Sequence, residues 1–227
     1  MNARIFETVD EVIRATAETM MQRIASKERA VIGISGGSTP EPLYRMLAEE
    51  PFRTSLERVA ITWVLVDERF VPYDDPQSNA AAIDRTLFAN GMPANHCFLR
   101  FDTSLADAEA SAADFETRWH EATLDPLDLV LLGCGSDGHT ASLFPGTTAL
   151  DETGRVAIAV FVPRLDQWRV TLSMRTIREA ALRLIPTVRG DKRDILARIR
   201  AGERFPVVEA TEGIQSWWLV DREAWGS

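Results

Sequence analysis

A single histidine follows a strand-like apolar run and a glycine-rich segment. Residues 127–132 predict a buried strand, three glycines stand between positions 133 and 138, and His139 comes next. Because α/β proteins bind ligands where such strands end, the imidazole is well placed to take a proton from water, provided a neighbour fixes its tautomer. Asp137 lies two residues away, and Asp67 or Glu68 could reach His139 across the top of the sheet. His139 is predicted to be a general base, and the alternative is a structural histidine.

A second glycine-rich turn could bind a phosphate. Residues 30–34 predict a strand, which is followed, before a predicted helix, by Gly36, Gly37, Ser38 and Thr39. Glycines let backbone N–H groups approach an anion closely, the hydroxyls add donors, and a helix N-terminus adds partial positive charge. The turn is neither a Walker loop nor a dinucleotide fingerprint. The alternative is a plain strand-to-helix turn, with Ser38 and Glu41 spaced as a capping box.

Charged residues after another predicted strand could hold a base and an anion. Residues 59–66 predict that strand, and Asp67, Glu68 and Arg69 follow it as a loop. Two carboxylates and a guanidinium could position a base and bind a phosphate, and a solvated charged loop is the alternative. The last third of the chain is locally basic, and one or two of its cations could contact an anionic substrate: Arg164, Arg169, Arg189, Lys192 and Arg193.

Composition argues against several classes of protein. The formal net charge of −9 disfavours a nucleic-acid or anionic-membrane partner, although a local basic pocket could still bind a small anion. The three histidines lack metal-ligand spacing. The cytoplasm is the expected location, because the two cysteines offer no disulfide framework, no apolar run reaches 18 residues and the N-terminus is too polar for a signal peptide. Cys134 could be a nucleophile at a strand end, but a small buried loop residue is the favoured interpretation.

The order of the predicted elements favours one α/β domain that spans residues 1–227. Predicted strands cover residues 30–34, 59–66, 97–101, 127–132, 155–162, 168–173, 182–188 and 216–220. Predicted helices cover residues 9–25, 38–50, 78–88, 105–122, 176–181 and 191–201, and a short helical turn closed by Pro145 and Gly146 follows His139. Strands that alternate with helices predict a mostly parallel sheet covered by helices.

Taken together and in this order, the motifs resemble those of the 6-phosphogluconolactonase family. The segments that carry the resemblance are residues 35–40, residues 67–72 with Ser78 and Asn79, residues 135–146, and residues 169–172. They extend from the first predicted strand to about Lys192, and the segment 135–146 is the longest and most specific. The combination is much more specific than any one loop.

The resemblance implies hydrolysis of 6-phospho-D-glucono-1,5-lactone to 6-phosphogluconate in the oxidative pentose phosphate pathway, without a metal or an organic cofactor. It implies a Rossmann-like, mostly parallel sheet with a smaller appended part, the fold of glucosamine-6-phosphate deaminases and ribose-5-phosphate isomerases. His139 would be the general base, and a monomer or small homo-oligomer would act on the small sugar-phosphate lactone. The residues implied to bind substrate or its phosphate are Gly36, Gly37, Ser38, Thr39, Arg69, Gly138, Arg164 and Arg169. Arg164 stands where relatives often carry lysine, which keeps the charge but changes its geometry.

The nearest alternative is a glucosamine-6-phosphate deaminase, which shares the implied fold. Those enzymes typically have Asp-Glu-Tyr where this chain has Asp67, Glu68 and Arg69, and an Asn-Glu-Pro-type segment where it has residues 142–145. Both differences favour the lactonase. A sugar-phosphate sensor without catalysis is a third interpretation, but such modules usually carry a DNA-binding extension for which this chain has no room.

Overall fold

The chain alternates between strands and helices, and the computed structural model describes residues 1–124, 126–213 and 215–226. The strands are β1 (Ala3–Phe6), β2 (Arg29–Ile34), β3 (Ala60–Leu65), β4 (Asp67–Arg69), β5 (Cys97–Leu99), β6 (Leu129–Leu131), β7 (Ala157–Val162), β8 (Gln167–Leu172), β9 (Arg183–Thr187) and β10 (Ser216–Asp221). The α-helices are α1 (Val9–Ile24), α2 (Glu41–Leu47), α3 (Phe52–Leu56), α4 (Asn79–Asp84), α5 (Ala108–Glu121), α6 (Met174–Glu179), α7 (Arg193–Arg200), α8 (Pro206–Ala210) and α9 (Arg222–Trp225). Short 3-10 helices cover Thr148–Asp151, Pro163–Leu165 and Gly190–Lys192.

Within the described residues, seven strands form a sheet in which each neighbouring pair runs parallel. Their order across the sheet is β1-β10-β9-β6-β2-β3-β5. Parallel strands are covered on both faces and therefore consist of continuous apolar residues, as in β3, where Trp63, Val64 and Leu65 are all fully buried. The predicted α/β class with a mostly parallel sheet is confirmed. No helix among the described residues is both long enough and apolar enough to span a membrane.

The chain reverses its direction of winding between β2 and β6. From β2 it continues to β3 and β5 on one side, and it then returns to β6 on the other side of β2. Such a reversal leaves a crevice beyond the carboxyl ends of the strands, where open α/β sheets bind ligands. Gly36 and Gly37 follow β2, and His139 lies in the segment after β6. The topology therefore brings these two predicted motifs together.

A small antiparallel sheet forms the appended part of the fold. Its strand order is β4-β8-β7, and its register places Asp67 opposite Thr171 and Arg69 opposite Arg169. Only Val66 separates β3 from β4, so the small sheet begins at the carboxyl edge of the large one. The prediction of a loop at residues 67–69 is wrong, because pairing with β8 satisfies the backbone of this polar segment. Local sequence does not reveal that pairing.

Two other local predictions near the carboxyl edge are also wrong. The capping box at Ser38 and Glu41 does not form, because α2 has Pro40 as its N-cap and no side-chain hydrogen bond caps it. The segment after His139 is a tight turn rather than a helical one: Thr140 and Leu143 form an isolated antiparallel bridge around a left-handed residue. The sequence prediction also omits β1, α3, α8 and α9, which are too short to show a periodic pattern.

Candidate active site

A cleft of about 330 Å³ lies where the segments after β2, β3 and β6 meet. Its chemically active lining residues are Asp67, Arg69, Cys134, His139, Arg169 and Lys192. Residues 35–40 add backbone groups and the hydroxyls of Ser38 and Thr39, and Asn79 lies beside them. The cleft thus combines an imidazole, carboxylate and cations at the position that the topology favours for a ligand.

Asp137 orients the imidazole of His139. Its Oδ1 accepts a hydrogen bond from His139 Nδ1, and the His139 backbone N–H donates to the same oxygen at 3.3 Å. With the proton on Nδ1, Nε2 is the basic nitrogen. The imidazole also stacks on Phe144, with ring centroids 4.2 Å apart. The ring is therefore fixed in both tautomer and orientation, as a general base requires.

The carboxylate of Asp137 has a partner on each oxygen. Oδ2 lies 2.5 Å from Nη2 of Arg164, opposite the oxygen that contacts His139. Partial burial raises the pKa of Asp137, but the hydrogen bond and charge of His139, with the charge of Arg164, hold that pKa below its ordinary value. An ionised carboxylate stabilises the imidazolium that forms when His139 takes a proton. The pair formed by Asp137 and His139, called the dyad below, is therefore suited to proton transfer.

The turn that carries the dyad requires glycine at two positions. A Cβ at Gly135 would overlap the His139 imidazole, and the Gly135 N–H donates to the His139 carbonyl at 2.9 Å. Gly138 has a φ of +79°, and a Cβ there would overlap the ring of Phe205. Its carbonyl accepts a hydrogen bond from Val207 N–H at 3.1 Å. Gly138 therefore shapes the turn, and it is not among the residues that line the cleft.

Of the three carboxylates considered as partners for His139, Asp137 makes the contact. Asp67 lines the cleft, and its Oδ2 accepts a hydrogen bond from Ser142 Oγ at 2.8 Å. The Asp67 carbonyl also accepts from Asn79 Nδ2 at 2.9 Å. Asp67 consequently links β4 to the turn after His139 and to the start of α4.

Glu68 is a helix cap rather than a partner of the imidazole. Glu68 is 1% exposed, and its carboxylate accepts hydrogen bonds from the N–H groups of Asn79 and Ala80, each at 2.7 Å, at the start of α4. Burial raises the pKa of Glu68, and the backbone donors oppose that rise. The prediction of a catalytic role for Glu68 is corrected accordingly, because its oxygens satisfy backbone N–H groups that the helix leaves unpaired.

Arg69 and Arg169 form a pair of cations in the cleft. They are direct neighbours across β4 and β8, and both Nε atoms are buried without a hydrogen-bond partner among the described residues. Burial, followed by the charge of Arg69, lowers the pKa of Arg169, while Asp67 and Glu68 oppose the shift. Adjacent like charges are unfavourable in a sheet. An anion that accepts from both guanidiniums would offset that cost.

The structure argues against a cysteine nucleophile. Cys134 lies in the cleft lining at the end of β6 and is 7% exposed. Burial raises the pKa of its thiol to about 12, although the nearby charge of Lys192 opposes the shift. A thiol is a nucleophile only as its thiolate, so Cys134 is unsuited to attack at neutral pH.

A larger cavity elsewhere lacks comparable chemistry. It measures about 860 Å³ and is lined by Glu68, Arg100 and Arg118 among others. Arg100 pairs with Asp84 and Arg118 with Asp114. Across residues 1–124, 126–213 and 215–226, no group of three or more His, Cys, Asp and Glu side chains gathers as a metal site would require.

Most of the predicted site residues meet in the cleft, and two supporting side chains escaped prediction. The cleft brings together Gly36, Gly37, Ser38, Thr39, Asp67, Arg69, His139 and Arg169. Phe144 and Ser142 were within the recognised motif but had no assigned role. Their contacts with His139 and Asp67 depend on the turn at Thr140, whose geometry the sequence pattern does not specify.

Comparison with known proteins places this geometry in a family. A family model described as glucosamine-6-phosphate isomerases/6-phosphogluconolactonase matches residues 5–218. A 6-phosphogluconolactonase of Rhizobium meliloti (strain 1021) is 34% identical over 210 residues, which cover 88% of each chain. The crystal structure of 6-phosphogluconolactonase from Thermotoga maritima superposes with a TM-score of 0.82 at 29% identity, covering 97% of this chain and 99% of that one.

A deaminase shares the fold as well. A monomeric glucosamine-6-phosphate deaminase matches with a TM-score of 0.81 over 99% of this chain and 98% of its own, at 24% identity. That likeness concerns the fold alone, whereas the family model and the R. meliloti relative extend over most of the sequence. The chain belongs to the glucosamine-6-phosphate isomerase/6-phosphogluconolactonase family.

Proposed function

We propose that this protein is a 6-phosphogluconolactonase, which hydrolyses 6-phospho-D-glucono-1,5-lactone to 6-phospho-D-gluconate in the oxidative pentose phosphate pathway. The observation that carries the proposal is the presence, in one cleft, of His139 and the Arg69–Arg169 pair, with the imidazole of His139 hydrogen-bonded to Asp137. The first is suited to activating water and the second to binding a phosphate. Relatives that match most of this chain carry this name.

His139 acts as the general base in the proposed reaction. Its Nε2 takes a proton from a water molecule, whose oxygen attacks the lactone carbonyl carbon, and Asp137 stabilises the resulting imidazolium. Backbone N–H groups of the glycine-rich segments are the candidates for stabilising the tetrahedral oxyanion. When the intermediate collapses, the carbonyl carbon–ring oxygen bond breaks and the imidazolium returns its proton to the departing ring oxygen. The products are an open-chain acid and an unchanged enzyme.

The arginine pair binds the substrate through its phosphate, at a distance from the carbonyl that reacts. A phosphate that accepts hydrogen bonds from Arg69 and Arg169 would satisfy both buried Nε groups. Gly36, Gly37, Ser38 and Thr39 line the cleft and would contact the sugar or its phosphate. Because the phosphate is bound equally in substrate and transition state, the arginines contribute mainly to KM and the dyad mainly to kcat.

Location, assembly and cofactor use complete the proposal. Residues 1–227 act as one domain in the cytoplasm, as a monomer or small homo-oligomer, on a small-molecule substrate rather than on nucleic acid or membranes. The reaction needs no metal or organic cofactor, because water activation is assigned to His139. The net charge of −9 supports the absence of a nucleic-acid partner.

The decisive experiment measures opening of the lactone produced in situ from glucose 6-phosphate. Purified protein should accelerate the reaction above the spontaneous rate, and a chelator should leave that acceleration unchanged. A rate equal to the spontaneous one would refute the assignment. Release of ammonium from glucosamine 6-phosphate would instead support a deaminase.

A further inference from the structure

Arg164 occupies an unexpected position for a phosphate ligand. It lies in the turn between β7 and β8, within the 3-10 helix Pro163–Leu165. The turn closes through Asp166, which has a φ of +47° and donates its N–H to the Pro163 carbonyl at 3.1 Å. The small sheet thus extends a hairpin to the loop that carries the dyad.

The guanidinium of Arg164 makes two contacts with the dyad's surroundings. Its Nη2 lies 2.5 Å from Asp137 Oδ2, and its central carbon lies 4.9 Å from the centroid of the Phe144 ring. That ring also stacks on His139. Arg164, Asp137, His139 and Phe144 therefore form a closed set of contacts in which Asp137 and Phe144 each touch both His139 and Arg164.

Arginine is suited to this pair of contacts in a way that lysine is not. A planar guanidinium can stack on an aromatic ring while its edge donates to a carboxylate. An ammonium group can approach the carboxylate but has no flat face to lay on the ring. The residue type at position 164 therefore matters for the orientation of Asp137 as well as for local charge.

We propose that Arg164 is a positioning residue that acts on His139 through Asp137, rather than a ligand of the substrate phosphate. It holds Oδ2 so that Oδ1 faces the imidazole, and it keeps the carboxylate fixed while His139 gains and returns a proton. The inference rests on the proposed lactonase function for its kinetic consequence. The contact between Arg164 and the dyad can be tested without that function.

Kinetic measurements separate positioning from phosphate binding. Arg164→Ala should lower kcat about tenfold and change KM less than about twofold, because the interaction acts on proton transfer. Arg164→Lys should show a smaller loss, since the charge is retained without the stacking. Arg222→Ala is the matched control: Arg222 Nε pairs with Glu7 at 2.7 Å on an exposed surface, and its loss should leave both constants unchanged. A tenfold rise in KM with unchanged kcat, or no effect of Arg164→Ala at all, would overturn the proposal.

A double-mutant comparison tests the route through Asp137. In an Asp137→Asn background, Arg164→Ala should change kcat less than about twofold, because residues that act as a unit are non-additive. A full tenfold loss in that background would show that Arg164 acts independently of Asp137. Arg164→Lys provides the same comparison if the alanine variant does not fold.

Imidazole nitrogen NMR provides a readout that does not depend on activity. The chain has only three histidines, so the resonances of His139 are readily assigned by its own substitution. Arg164→Ala should reduce the fraction of His139 with the proton on Nδ1, and Arg222→Ala should not. An unchanged tautomer population would refute the positioning role even in an active enzyme. If the wild type lacked lactonase activity, a shift in the tautomer would leave the structural link established while the proposed function failed.

Discussion

Charged groups are paired within the protein at the Asp137–His139 dyad but are left partly unpaired at the neighbouring pair of Arg69 and Arg169. In the dyad, both oxygens of Asp137 have cationic or N–H partners, and the imidazole is held by a carboxylate and an aromatic ring. In the arginine pair, two guanidiniums are neighbours across the β4–β8 ladder, and each buries an Nε without a partner among the described residues. The first region is electrostatically complete within the protein, and the second would be completed by an anion.

The difference fits the roles proposed for the two regions. A base must already have the correct tautomer and orientation when the substrate arrives, because reorganisation during proton transfer would add to the barrier. A binding site gains affinity when the ligand satisfies groups that the protein leaves unpaired. In the proposed function, binding of the phosphate would offset the repulsion between Arg69 and Arg169, whereas the Asp137 carboxylate would stabilise the imidazolium that forms in the transition state.

Removing the imidazole of His139 should have the largest effect on activity of the changes considered for the two regions. We expect His139→Ala to lower kcat about 1,000-fold, because general-base catalysis contributes roughly 10²- to 10⁴-fold, and to leave KM nearly unchanged. The measurement is steady-state hydrolysis of the lactone with the spontaneous rate subtracted. His120→Ala is the matched control, since His120 is exposed at the end of α5. A His139→Ala variant that keeps more than a tenth of the wild-type kcat would remove His139 as the base.

Removing one cation of the arginine pair should affect binding and stability in opposite directions. Arg169→Met should raise KM roughly 10- to 100-fold, the loss expected for a charge-assisted hydrogen bond of about 1.5–3 kcal/mol. The same change should raise the free energy of unfolding by about 1 kcal/mol, because an apolar side chain replaces a buried charge that lacks full pairing. Urea denaturation measures the second effect. Arg175→Met is the control, since Arg175 is exposed in α6, and a destabilised Arg169→Met variant would contradict the proposed imbalance.

Neutralising the carboxylate of Asp137 should change the free energy of unfolding only modestly, and the size of the change should depend on pH. The folded-state pKa of Asp137 is lowered, so its ionised form stabilises the fold above the ordinary pKa and that contribution disappears as pH falls through the folded-state value. Asp137→Asn should therefore cost at most about 1 kcal/mol near pH 7. The difference from wild type should shrink below about pH 4. A constant difference across this range would argue that ionisation of Asp137 does not support the fold.

The motifs that follow strands of the large sheet were predicted to lie near one another, and the structure places them in one cleft. Gly36 and His139 each come directly after an apolar run, and the carboxyl ends of parallel strands share one edge. Spacing alone therefore placed the two motifs together. Asp137 was one of three candidate partners of His139, beside Asp67 and Glu68, and the sequence did not decide among them.

Contacts that depend on the small sheet could not be read in the same way. The pairing of Arg69 with Arg169 joins segments 100 positions apart and requires the register of β4 against β8. Glu68 was given a catalytic role because it stands beside Asp67 after a predicted strand. Side chains alternate along β4, however, and that of Glu68 accepts hydrogen bonds from the first N–H groups of α4, so it caps this helix. Arg164 reaches Asp137 only through the hairpin between β7 and β8. The positions of residues after parallel strands could be predicted from the sequence, whereas contacts that depend on strand pairing could not.

Alkylation of the cysteines should have the smallest effect on activity, because Cys134, which lines the cleft, should not react. With a thiol pKa of about 12, Cys134 is protonated at pH 8 and should resist iodoacetamide, whereas Cys97 is exposed and should react. Mass spectrometry of the native protein should show one added group, and Cys97→Ser should show none. The alkylated enzyme should retain its full rate. Two added groups with loss of activity would mean that Cys134 is accessible as a thiolate, and the cleft would then hold a nucleophile that competes with the water that His139 is proposed to activate.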